Sequence, residues 1–78
     1  MNKPWQILTQ LPNGDEISTV RLPEQFYRNR WESCLFRQDG SSQVIAVYDS
    51  EAEAIRGHSF LVAHEVMHDV AKIQHSEA

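Results

Sequence analysis

A chain of 78 residues and 9.0 kDa has room for one domain, residues 1–78, and at that size folding hides only about 60% of the unfolded surface. With 41% hydrophobic and 23% charged residues, the composition is that of a folded protein. Eleven acids against seven bases give a net charge of −4, which argues against direct nucleic-acid binding, where bases must neutralise phosphates. One cysteine, Cys34, excludes an internal disulfide and with it a stapled secreted mini-protein. No apolar run approaches the roughly 20 residues that cross a bilayer, and Met1-Asn2-Lys3-Pro4-Trp5-Gln6 lacks the apolar stretch of a signal peptide. A cytoplasmic protein without membrane attachment is therefore expected.

In chain order, Trp5-Gln6-Ile7-Leu8-Thr9-Gln10-Leu11 nearly alternates, with Trp5, Ile7 and Leu11 on one face, the period of a half-buried strand. Pro12-Asn13-Gly14-Asp15 follows with turn chemistry that tolerates positive φ. Ile17-Ser18-Thr19-Val20-Arg21-Leu22 completes a hairpin, and Pro23 ends it. A third strand is expected at Trp31-Glu32-Ser33-Cys34-Leu35-Phe36, a turn at residues 38–42, and a fourth strand at Val44-Ile45-Ala46-Val47-Tyr48. The unbroken apolar run of this fourth strand suggests burial on both faces and a central place in the sheet.

A helix is expected from about residue 50 to about residue 74. Ser50 and Glu53 fit a capping box, and Glu51 and Glu53 suit the positive end of the helix dipole. At 100° per residue, Ala52, Ile55, Val62, Val66, Val70 and Ile73 form one stripe, flanked by Ala63 and Met67, which should lie on the sheet. Gly57 inside the helix costs up to about 1 kcal/mol relative to Ala, which suggests a close backbone contact there. The expected fold is α+β, a four-stranded, mostly antiparallel sheet of two hairpins with one long C-terminal helix packed on one face.

His64-Glu65-Val66-Met67-His68 is a literal His-Glu-x-x-His string. On a helix its two histidines share a face and can bind zinc, with the glutamate as general base. A catalytic zinc needs a third protein ligand. His75, seven residues on, sits about 10 Å along the axis, and Asp69 points about 100° away from His68. With the valine and isoleucine stripe inward, His64, His68 and His75 face solvent. They are read as surface histidines, with no catalytic residue, metal or cofactor assigned.

Phe26-Tyr27-Arg28-Asn29-Arg30-Trp31 interleaves aromatics with arginines, as single-stranded nucleic-acid sites do. The competing reading has Phe26, Tyr27 and Trp31 anchoring a loop to the core while the arginines answer the acidic helix start. Charge is uneven: residues 1–48 carry five acids and five bases, residues 49–78 six acids and two bases. An acidic helix can dock on a basic protein groove. The expected contact residues are Asp49, Glu51, Glu53, Leu61, His64 and His68, with Leu61 on the outer face. Cys34, mid-strand, is expected as a small buried residue.

The segments Ile17 to Leu22, Trp31 to Phe36 and Tyr48-Asp49-Ser50-Glu51-Ala52-Glu53-Ala54-Ile55-Arg56-Gly57-His58 resemble a group of small phage and prophage proteins. Those carry a Ser-Thr-Val strand, an aromatic-Glu-Thr-hydrophobic-hydrophobic-Phe strand and a Tyr-Ser-Thr-x-x-Glu-Ala-x-x-Gly-His helix start. The resemblance covers about residues 17–62 and departs at Ser33-Cys34 and in the loop, where Pro23-Glu24-Gln25-Phe26-Tyr27 replaces a Gly-Leu-Asp-His stretch. It implies an origin, brings no activity with it, and ends before His64. Together these observations favour a small acidic phage-type binding protein without catalytic activity, acting in the host cytoplasm. Its most concrete form is an inhibitor of a host defence complex, resembling the anti-CRISPR proteins, that occupies a basic nucleic-acid-handling surface. A zinc-binding protein or metallohydrolase using His64, Glu65 and His68, and a structural or accessory phage protein, are the alternatives. A homodimer that buries the second sheet face is also expected of so small a two-layer chain.

Overall fold

Gly14 at φ 94° and Gly40 at φ 90° make the two turns that fold the first half of the chain into hairpins, a conformation open to glycine without a Cβ penalty. The computed structural model describes residues 5–76, and the side chains of residues 5–70. Its elements are β1 (Gln6–Gln10), β2 (Glu16–Arg21), β3 (Trp31–Phe36), β4 (Ser42–Tyr48) and α1 (Glu51–Ser76). The strands pair antiparallel in the order β1-β2-β3-β4, and α1 packs on one face. The fold is α+β. Among the described residues no helix is long and apolar enough to cross a membrane.

Register places Thr19 opposite Ser33 and Ile17 opposite Leu35 across β2 and β3, and Ile7 opposite Thr19 across β1 and β2. The helix-facing residues are then Ile7, Thr9 and Leu11, Ile17 and Thr19, and Trp31, Ser33 and Leu35, in the alternation the sequence predicts. Leu11, Ile17 and Leu35 form the small buried core, with Ile45, Leu61, Val62 and Val66 packed against it. Trp31, 6% exposed, stands edge-on to Trp5 at 6.3 Å.

The fourth strand corrects the expectation of a central position. It is an edge strand, with Val44 and Val47 about half exposed, and β2 and β3 are central. The apolar run comes from a register shift: Ser33 pairs with Ala46 but Cys34 pairs with Val44, so Ile45 is an extra residue. A bulge of this kind lets two consecutive side chains turn the same way. Ile45 and Ala46 are both partly buried, while Val44 and Val47 emerge on the other face. Broken alternation, and not two-sided burial, produces the apolar run.

Ser50 caps α1, its Oγ accepting from the Glu53 backbone N–H at 3.2 Å. The helix is rotated relative to the predicted stripe. Ala54 and His58 are buried under it, and Leu61, Val62, Glu65, Val66 and Asp69 are partly buried. Ala52, Ile55, Ala63, Met67 and Val70 are exposed, a turn of about 80° about the axis from the expected direction. Ile73 and His75 lie outside the described side chains. Leu61, expected on the outer face, packs against the core instead.

Candidate functional site

The rotation of α1 follows from a polar cluster inside the sandwich. His58, 4% exposed, bonds through Nε2 to Thr9 Oγ1 at 2.8 Å and through Nδ1 to Thr19 Oγ1 at 2.7 Å. Thr19 Oγ1 continues to Ser33 Oγ at 2.5 Å, and Ser33 Oγ to Tyr48 Oη at 3.1 Å. Each strand thus contributes one hydroxyl, and the helix contributes the imidazole. Buried polar groups must find partners, at a cost of about 1–3 kcal/mol for each left without one. Any other rotation of α1 would strand these groups, whereas valines tolerate either side. Burial holds the His58 imidazole below its ordinary pKa, so it is neutral at pH 7.

Beside this cluster the helix comes close to the sheet. A Cβ on Gly57 would lie 2.5 Å from the Tyr48 Cζ and Oη, so the glycine that sequence marked for close contact admits the Tyr48 ring. His58, Thr9 and Thr19 were not singled out from the sequence. A signal was there: Thr9 lies between Ile7 and Leu11, Thr19 between Ile17 and Arg21, and Ser33 between Trp31 and Leu35. Three hydroxyls at inward positions require a polar partner on the facing helix.

The His64–His68 string lies further along α1, over the hairpin turns. A polar cavity of about 270 Å³ there is lined by Asn13, Asp15, Arg37, His64, Glu65, His68 and Asp69. Asp15 accepts the Gln38 backbone N–H at 3.1 Å and faces Arg37 at 3.9 Å. Gln38 also donates its side-chain amide to the Asn13 carbonyl, so the two turns are tied together under the helix. His64 and His68 are exposed, their rings nearly parallel at 14° and 6.4 Å apart, and Phe60 stacks on His64 in the same way. Among the described residues no three His, Cys, Asp or Glu side chains are arranged to hold a metal ion.

The expected contact residues separate into two places. Asp49, Glu51 and Glu53 are exposed at the start of α1, where Glu51 Oε1 accepts the Trp5 indole N–H at 3.2 Å. His64 lies 13 residues beyond Glu51, about 20 Å along the axis. Leu61 between them is partly buried against the core, so the six do not form one surface. In the loop, Phe26 is 74% exposed and Tyr27 40%, and only Trp31 anchors to the core. The Arg30 guanidinium lies 5.9 Å from the Tyr27 ring centroid, and that of neighbouring Arg21 lies 4.6 Å from the Trp31 ring centroid and pairs with Glu24 at 3.1 Å.

The face of the sheet turned away from α1 carries Leu8, Phe36, Val44 and Val47, each 44–54% exposed. A depression of about 330 Å³ on it is lined by Gln6, Leu8, Glu16, Ser18 and Phe36. Glu16 and Glu32 are the charged groups among the described strand residues on this face, and both are partly buried. Cys34 sits here, half-buried and not in the core. Burial, then the hydrogen bond and charge of Glu32, push its thiol pKa up, which keeps it protonated and a poor nucleophile.

No protein-family model matches this chain, and neither a curated protein nor a solved structure matches it.

Proposed function

We propose that the protein is a non-catalytic binding protein whose uncovered sheet face docks on a basic surface of another protein. The observation that carries this reading is the pairing of four half-exposed apolar side chains with two carboxylates and no opposing base among the described residues of that face. Exposed apolar patches of this kind mark interaction sites, and the charge selects the partner. A lysine or arginine can lay its aliphatic stem on Leu8 and Phe36 and bring its head to Glu16 in the depression. The concrete form is the occupation of a nucleic-acid-handling surface of a host defence complex by a phage-encoded inhibitor. The net charge of −4 supports that choice of partner. The acidic start of α1, with Asp49, Glu51 and Glu53, steers association from a distance, and the sheet face makes the contact.

A tagged full-length chain tests this in host extract. It should capture a basic nucleic-acid-handling complex, release it between about 0.1 and about 0.5 M salt as screening shortens, and block that complex from binding its nucleic acid. Phe36→Glu and Glu32→Lys should each abolish capture while melting like the parent. Undiminished capture by both variants would refute the assignment of this face.

A further inference from the structure

From Phe60 to Val70 the outer side of α1 carries a row of exposed apolar side chains. Phe60 and Met67 are 70% and 68% exposed, Val70 is 44% exposed, and Ala63 is exposed between them. Their spacing of three, four and three residues is that of a coiled-coil seam. At 100° per residue they fall within a stripe about 80° wide, roughly opposite the line of Ala54, His58, Leu61 and Glu65 that faces the sheet. The two acids of residues 57–70, Glu65 and Asp69, lie on the sheet side instead, partly buried beside the polar cavity. Over residues 57–70 the two acids therefore share the sheet side with Leu61, Val62 and Val66, and Phe60, Ala63, Met67 and Val70 face outward.

We propose that this strip is the interface of a twofold homodimer, in which the α1 helices of two copies lie antiparallel. Three observations select a second copy as the occupant. An axis centred between Ala63 and Met67 sets Phe60 against Val70 and Met67 against Ala63, a large side chain facing a small one at every layer. This is the self-complementarity that a twofold contact requires. No Asp, Glu, Lys or Arg lies on the strip from Phe60 to Val70, so like charges do not meet across the axis. The sheet face is the opposite case: burying it against itself would gather the Glu16 and Glu32 carboxylates of both copies without a base from the described residues of that face. The expected homodimer thus moves from the sheet to the helix, leaving the sheet face free for the foreign partner proposed above.

The 26 residues of α1 are about 39 Å long, while strands of five to seven residues span about 17–23 Å. The helix is longer than the strands, and the strip runs along the side of it turned away from Leu61, Val62 and Val66, which pack on the core.

Sedimentation of the full chain from low to high micromolar concentration tests the proposal. A dimer is expected, and Phe60→Glu and Met67→Glu should each weaken it about tenfold or more. Both positions are exposed, so unfolding curves of the variants at low concentration should match the parent and show that the fold is intact. In a Cys34→Ser background, a mixture of Ala63→Cys and Met67→Cys chains should oxidise to the mixed disulfide faster than either chain alone forms its own. Phe36→Glu should leave association unchanged, which separates this interface from the sheet-face reading. A monomer at high micromolar concentration, a dimer indifferent to Phe60→Glu and Met67→Glu, or disulfides between identical positions would overturn the proposal.

Discussion

Gly57→Ala should destabilise the protein, although the same change at an ordinary helix position stabilises it. Replacing an interior helix glycine with alanine gains up to about 1 kcal/mol. Here the added methyl meets the Tyr48 phenol, with Cζ and Oη both 2.5 Å from the new carbon. Real contacts do not reach that distance, so the ring must swing away or the helix must lift. Overpacking of this kind costs about 1–3 kcal/mol. Swinging the ring also breaks the 3.1 Å bond between Tyr48 and Ser33, about another 1 kcal/mol. The net expectation is a loss of about 1–3 kcal/mol, and for a domain this size each kcal/mol lowers Tm by about 4–8 °C. Urea unfolding of the two proteins, followed by circular dichroism at one protein concentration, measures it. A variant more stable than the parent by about 1 kcal/mol would mean that α1 does not approach β4 at this point, and the packing argued above would fall.

His58 makes stability depend on pH. Its folded pKa lies below the usual 6.5, so its contribution is present above about pH 6.5 and is lost as pH falls through the folded value, because the unfolded chain then binds the extra proton. Unfolding midpoints at pH 7.5 and pH 5 should differ, and His58→Gln should be less stable than the parent at pH 7.5 but flatter across the range. An unchanged pH slope in His58→Gln would contradict the buried neutral imidazole. Ser50→Ala removes the acceptor of the Glu53 N–H and should cost about 1 kcal/mol, read from the same urea curves. A neutral result would show that the cap is made by water.

The local features were legible because their causes are local. Alternation at Ile7, Thr9 and Leu11 and at Trp31, Ser33 and Leu35, the glycines of both turns and the serine cap each act within a few residues. Edge against centre, the rotation of α1 and the make-up of the site are not local. The run Val44 to Val47 reads as doubly buried until a bulge opposite Ser33 and Cys34 is known. The valine stripe of α1 has the stronger hydrophobic signal, yet the helix buries His58.

What the chain alone determined is the set of four strands, two hairpins and one capped helix. Steric and hydrogen-bonding preferences of single turns suffice for that. Only the tertiary structure decided which side of α1 meets the sheet. Hydrophobic contact is non-directional and accepts several rotations, whereas Thr9, Thr19, Ser33 and Tyr48 converge on His58 in one of them. That choice sends Phe60, Ala63, Met67 and Val70 outward, and so decides which surfaces the molecule has to offer.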